Sequence, residues 1–90
     1  MLYVYAYDIA SERARRRVSA LLERHGTRVQ ESVFEIRVTR QGAERLLAAA
    51  DREMAPGDRL RMYAVPEDGR KLSRQLGGAP IAEAQEFWLL

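Results

Sequence analysis

An α+β fold, with two helices laid against one face of an antiparallel sheet, is what this sequence of 90 residues predicts. Three observations carry the prediction. Two stretches repeat apolar residues at helical spacing, and each follows a hydroxyl residue suited to capping a helix. Three stretches alternate side chains at the two-residue period of a strand. The strands also carry more apolar surface than two helices can cover.

Leu2 to Ile9 reads as a strand that ends at Asp8. Tyr3, Tyr5 and Tyr7 alternate with Leu2, Val4 and Ala6, so both of its faces call for cover. Ser11 can cap the first helix, Glu12 suits its positive first turn, and Ala14, Val18, Leu21 and Leu22 form its apolar stripe. Gly26, just after His25, stops it. Arg28 to Val38 is extended, as one long strand or two short ones, with Phe34, Ile36 and Val38 on one face and Val33, Glu35 and Arg37 on the other. Thr39 can cap a second helix whose stripe is Ala43, Leu46, Leu47, Ala50 and Met54. Pro56-Gly57-Asp58 breaks the pattern. Arg59 to Val65 alternates again, with Leu60, Met62 and Ala64 inward. Pro66 to Gly69 reads as a turn, Arg70 to Leu76 as a short helical turn, Gly77-Gly78 as a loop, and Glu86 to Leu90 as a last strand.

That order is the split-βαβ, ferredoxin-like arrangement with an added C-terminal strand, in one domain over residues 1–90. Two helices cover one sheet face only. The strand residues Tyr3, Tyr5, Tyr7, Val33, Tyr63 and Val65 exceed what one face accounts for, and exposed apolar sheet marks a partner surface. A homodimer through the open face is the simplest expectation.

The chain has no cysteine, which removes disulfides and thiolate metal sites and fits a cytoplasmic protein. No apolar run approaches the roughly 20 residues of a membrane span, and no charged-then-apolar leader opens the sequence. The net charge is only +2, yet Lys71 is the sole lysine among 15 basic residues. A GC-rich genome explains arginine over lysine as well as phosphate recognition does. Position discriminates better, because Arg13, Arg15, Arg16 and Arg17 fall within a single stretch of five. On a helical projection Arg13, Arg17 and Arg24 share one flank of the first helix, Arg15 takes the other, and Arg16 points outward. A solvated face is the ordinary meaning of such a run. Cations at a helix N-terminus oppose the dipole, however, and that conflict favours a polyanion partner.

Asp8 stands at the C-terminal end of the first strand. It is either a turn residue that accepts nearby backbone amides or a metal ligand. One carboxylate makes a poor metal site, but a twofold axis brings two together, and magnesium is often held by one or two carboxylates with water and phosphate oxygens. Two bare carboxylates about 4 Å apart repel by about 4 kcal/mol at an effective dielectric near 20, so the pair calls for a cation, a shared proton or greater separation. His25, the only histidine, projects near the apolar stripe and reads as a packed residue in the last turn. Ser32 has no histidine–aspartate arrangement to activate it. Tyr3, Tyr5 and Tyr7 can stack bases, but the sequence lacks the basic-aromatic signature of such sheets, and packing is the better reading.

The opening Tyr3-Val4-Tyr5-Ala6-Tyr7-Asp8-Ile9, then Arg13 and Arg17, then Arg28-Val29-Gln30-Glu31-Ser32-Val33-Phe34-Glu35, resemble the CRISPR-associated Cas-two family. Leu76-Gly77-Gly78 and Phe87-Trp88 near the end are similar too. The resemblance covers essentially the whole chain. It implies a ferredoxin-like homodimer that bridges two dimers of the Cas-one integrase and helps insert captured DNA fragments as new spacers. It implies that Asp8 of each subunit approaches its mate and can share a divalent metal such as Mg2+. Some family members are described as metal-dependent nucleases on RNA or double-stranded DNA, with that aspartate catalytic. Arg13, Arg15, Arg16, Arg17 and Arg28 are then the nucleic-acid contacts, and Tyr7, Ser32 and Phe34 the neighbours of the site.

Three functions compete at this stage. The first is a DNA-holding subunit of spacer acquisition. The second is a stand-alone metal-dependent ribonuclease, or toxin-like nuclease, of the same fold. The third, a metabolite-binding regulatory domain, gives no reason for the arginine cluster.

Overall fold

The structure is a computed structural model and describes residues 1–82. Its elements are β1 (Leu2–Asp8), α1 (Glu12–Glu23), β2 (Thr27–Gln30), β3 (Val33–Arg37), α2 (Arg40–Asp51), β4 (Arg59–Val65) and α3 (Glu67–Leu72). The strands form one sheet in the order β2-β3-β1-β4, each neighbour antiparallel. With α1 and α2 on one face, this is the expected ferredoxin-like fold. The expected last strand, Glu86 to Leu90, lies outside the described residues.

Both helix starts follow from their caps. The Ser11 hydroxyl accepts from the Ala14 amide at 3.2 Å, and the Thr39 hydroxyl from the Gly42 amide at 3.0 Å. Val18 and Leu22 of α1 and Ala43, Leu46 and Ala50 of α2 face a core built from Tyr3, Tyr5, Tyr7, Phe34 and Ile36. Each fully buried large side chain contributes about 1.5–3 kcal/mol. Tyr5 has no exposed surface, and its hydroxyl donates to the Ala43 carbonyl at 2.9 Å, tying β1 to α2. Burial is the main cause that pushes this phenol up to about 12. Gly26 lets β2 start close against β3. A Cβ there would meet the Glu35 carbonyl oxygen and come within 2.5 Å of Ile36 Cγ1.

Of the two readings of Arg28 to Val38 the two short strands hold, separated by a turn at Glu31 and Ser32, with a register shift between Arg28 and Gln30. Several other expectations change. The helix over the second apolar stripe, α2, stops at Asp51, so Met54 packs on the core from the following turn. His25 is exposed, not packed, because α1 ends at Glu23 and the chain turns through it. Ala64 faces the helix side opposite Tyr3, but on an edge strand it stays exposed. The late helix begins at Glu67, not Arg70. Pro66 presets the entry, and Glu67 and Asp68 then Arg70 and Lys71 match the dipole at the two ends.

The sheet faces also differ from the expected division. Tyr3, Tyr5 and Tyr7 all lie on the helix side, so they add nothing to the open face. Register places Val4 beside Glu35 and Tyr63, and Ala6 beside Val33 and Arg61, on the uncovered side. One end of that side is closed locally. Arg37 donates to the Ala82 carbonyl at 3.1 Å and lies 3.8 Å from Glu67, while Arg70 donates to the carbonyls of Ile81 and Ala82. The open remainder centres on Val4, Ala6, Val33 and Tyr63, the last half exposed.

Candidate functional site

The C-terminal end of β1, the first turns of α1 and the β2–β3 turn enclose a cleft of about 530 Å³. Tyr7, Asp8, Arg15, Arg16, Arg28 and Ser32 line it, six of the residues that sequence reasoning singled out. The backbone holds the walls together: the Tyr7 amide donates to the Ser32 carbonyl at 3.1 Å. Phe34 lies fully buried beneath, its ring stacked with Tyr7 at 6.3 Å between centroids. Arg28, the register partner of Phe34, lies over the ring at 5.2 Å, a cation–π distance. Its guanidinium also donates to the Glu31 carbonyl at 3.4 Å. Arg15 reaches back to donate to the carbonyls of Ile9 at 3.0 Å and Ala10 at 2.8 Å, which fixes the β1–α1 connection.

Asp8 is 81% exposed, and among the described residues its partner is Arg59 at 3.8 Å. An exposed pair of that kind contributes about 0–1 kcal/mol. The turn role that competed with the metal role belongs to a different aspartate. Asp58 accepts the Ala10 amide at 3.2 Å through one oxygen and the Ala55 amide at 2.9 Å through the other. Asp8 is thereby relieved of the turn and, apart from its Arg59 contact, faces solvent. No group of three or more His, Cys, Asp or Glu suited to a metal occurs among the described residues.

The model of the family described as CRISPR associated protein Cas2 matches residues 1–71 of this chain. The chain belongs to the Cas2 family. The CRISPR-associated endoribonuclease Cas2 1 of Chloroflexus aurantiacus is 37% identical over 98 residues, covering all of both chains. The crystal structure of Streptococcus pyogenes Cas2 at pH 6.5 superimposes with a TM-score of 0.73 at 26% identity, over 86% of this chain and 100% of that one. A chain of a partial Cas6-RT-Cas1–Cas2 complex superimposes with a TM-score of 0.74 at 30% identity, over 92% of this chain and 98% of that one.

Against this Cas2 frame the arginine run divides. Arg15 and Arg16 line the Asp8 cleft with Arg28, whereas Arg13 and Arg17 do not. Arg16 lies 3.8 Å from Glu12, one turn earlier on α1. Arg17 turns the other way, to Glu53 beyond α2 at 3.3 Å. Sequence reasoning did not place Glu12, Glu31 or Asp58 at the site. Asp58 carried a signal, as the third residue of the Pro56-Gly57-Asp58 turn; the two glutamates carried none. Their effect is large, because three carboxylates (Asp8, Glu12, Glu31) formally balance three guanidiniums (Arg15, Arg16, Arg28) along the cleft. The cleft is therefore a mixed site and not a plain anion trap. No helix among the described residues is long and apolar enough to cross a membrane.

Proposed function

We propose that this Cas2-family chain is the paired, nucleic-acid-holding subunit of CRISPR spacer acquisition, working as a homodimer with the Cas1 integrase. The observation that carries the reading is the exposed Asp8 carboxylate, in a 3.8 Å contact with Arg59, at the rim of a cleft that Arg15, Arg16 and Arg28 line. The similarity to the Cas2-like chain of a complex that also contains Cas1 supports the same partner here. The half-covered apolar face around Val4, Ala6, Val33 and Tyr63 supports pairing.

The donor set fits a shared Mg2+ better than a single-chain one. Asp8 offers carboxylate oxygens that accept no backbone amide among the described residues, and two such carboxylates with phosphate oxygens suit magnesium. Bound there, the ion would offset phosphate charge and acidify a coordinated water. The chain's own residues do the rest. Arg28 and Arg16 offer guanidinium forks to phosphate oxygens. Arg15 holds the connection that aims the carboxylate, and Tyr7 with Phe34 gives Arg28 a rigid seat. A cation at Asp8 also shifts the balanced cleft toward positive charge, which favours a polyanion. The nuclease reading uses the same residues and differs in requiring cleavage by this protein alone; the Chloroflexus relative is named an endoribonuclease.

The test is assembly. Sedimentation equilibrium at micromolar concentration should give twice the chain mass. Size-exclusion chromatography with Cas1 and a short labelled duplex should carry all three in one peak. A compact monomer, or a Cas1–duplex complex that forms equally well without this protein, overturns the proposal.

A further inference from the structure

We propose that the crevice between α1 and α2 is a second phosphate-backbone track, separate from the Asp8 cleft and carried by Arg17, Arg24 and Arg52. It rests on the nucleic-acid-holding function proposed above and extends it from Arg17, an expected contact, to Arg24 and Arg52, which no earlier expectation includes. The crevice measures about 300 Å³ and is floored by the small or apolar Ala20, Leu21 and Ala49. Three guanidiniums line it against one carboxylate, Glu53. The Asp8 cleft has as many acids as arginines, so the more one-sided charge lies here.

Local stability explains only part of this arrangement. Arg24 and Arg52 stand at the C-caps of α1 and α2, where a cation complements the dipole. Arg17 has no such reason, since it lies mid-helix and still turns into the same crevice. Its side chain remains 53% exposed despite the Glu53 contact, so the guanidinium is accessible to a ligand. Arg13 precedes it by one turn on the same flank and extends the row. Arg17 and Arg24 are separated by about 10 Å along the helix axis. With the helix axis along the duplex, that is about three steps of a strand at 3.4 Å each, so the two guanidiniums reach phosphates about three apart on one strand. Their planar forks suit phosphate oxygens better than scattered carboxylates of a protein surface do.

Glu53 sets the test apart from simple loss of charge. It competes with phosphate for Arg17, so Glu53→Gln should bind a short fluorescein-labelled DNA duplex more tightly, by up to about fivefold. Arg24→Ala combined with Arg52→Ala should flatten the slope of log affinity against log salt by up to about 1.8 per chain. Circular dichroism melting checks that both variants fold. Arg28→Ala reports on the Asp8 cleft in the same titration. If the double variant keeps the wild-type slope and Glu53→Gln gains nothing, the second track is wrong, whatever Arg28→Ala does. If the double variant flattens the slope and Arg28→Ala does not, the track stands and the Asp8 cleft loses its role as a DNA contact. If the double variant binds duplex normally but loses Cas1, the crevice seats an acidic protein surface, and the proposal is overturned.

Discussion

Tyr5→Phe removes one oxygen from the centre of the molecule and should change both the stability of the protein and its pH dependence, in opposite directions. The hydroxyl is fully buried and donates to the Ala43 carbonyl at 2.9 Å. Losing one such bond costs about 1 kcal/mol. At about pH 8 the variant should therefore unfold at a lower urea concentration, by about 0.3–1 M for a typical denaturant slope. At high pH the sign reverses. The phenol is raised from 10.0 to about 12 in the folded chain, chiefly by burial. Below pH 10 both folded and unfolded forms keep the proton and no pH dependence arises. Between about pH 10 and 12 the unfolded chain releases it first, so wild-type stability falls by about 1.4 kcal/mol per unit and by about 3 kcal/mol in all. Phenylalanine has no proton to release. The remaining tyrosines titrate in both proteins and cancel in the difference. The variant should thus be less stable at about pH 8, equal near about pH 11 and more stable above it. Urea unfolding followed by far-ultraviolet circular dichroism at several pH values measures the crossing. Parallel stability curves from about pH 8 to 12 would refute the burial of this hydroxyl and the β1–α2 tie built on it.

Asp8→Asn should leave the fold and the thermal midpoint nearly unchanged, because the side chain is exposed and its Arg59 contact contributes about 0–1 kcal/mol. Any Mg2+-dependent cleavage by the purified protein should disappear in the same variant, and full cleavage would assign that activity to another site. Gly26→Ala should destabilise by about 1–3 kcal/mol, since the new Cβ runs into the Glu35 carbonyl and Ile36. That corresponds to a melting temperature lower by at least about 4 °C, and an unchanged melting curve would show that β2 does not start against β3 as described.

Much of the fold was legible because its determinants are local. Ser11 and Thr39 each cap a helix within three residues of the amide they serve, so sequence spacing alone places both starts. The order of elements follows from changes of period that need no tertiary information. Face assignment failed where both alternating sets were apolar. Tyr3, Tyr5 and Tyr7 alternate with Leu2, Val4 and Ala6, and period two does not say which set meets the helices. Counting the tyrosines toward an open face overstated its apolar area, which rests on Val4, Ala6, Val33 and Tyr63. Reading Pro66 as part of a turn puts the late helix too far along, because a fixed φ also starts a helix.

The candidate site was legible residue by residue but not as a balance of charge. A projection of α1 correctly put Arg15 on one flank and Arg17 on the other. It contained nothing of Glu53, which meets Arg17 from 36 positions away, or of Glu31, which enters the Asp8 cleft from the β2–β3 turn. The same limit governs Asp8 itself. An aspartate before a helix is ordinarily read as a turn residue, and only the fold shows that Asp58, 48 positions from Ala10, has taken that task. The functional meaning of Asp8 thus depends on a carboxylate distant in sequence. With the Ala10 amide satisfied by Asp58, the strand-end carboxylate keeps, among the described residues, its exposed 3.8 Å contact with Arg59 and stays open to solvent.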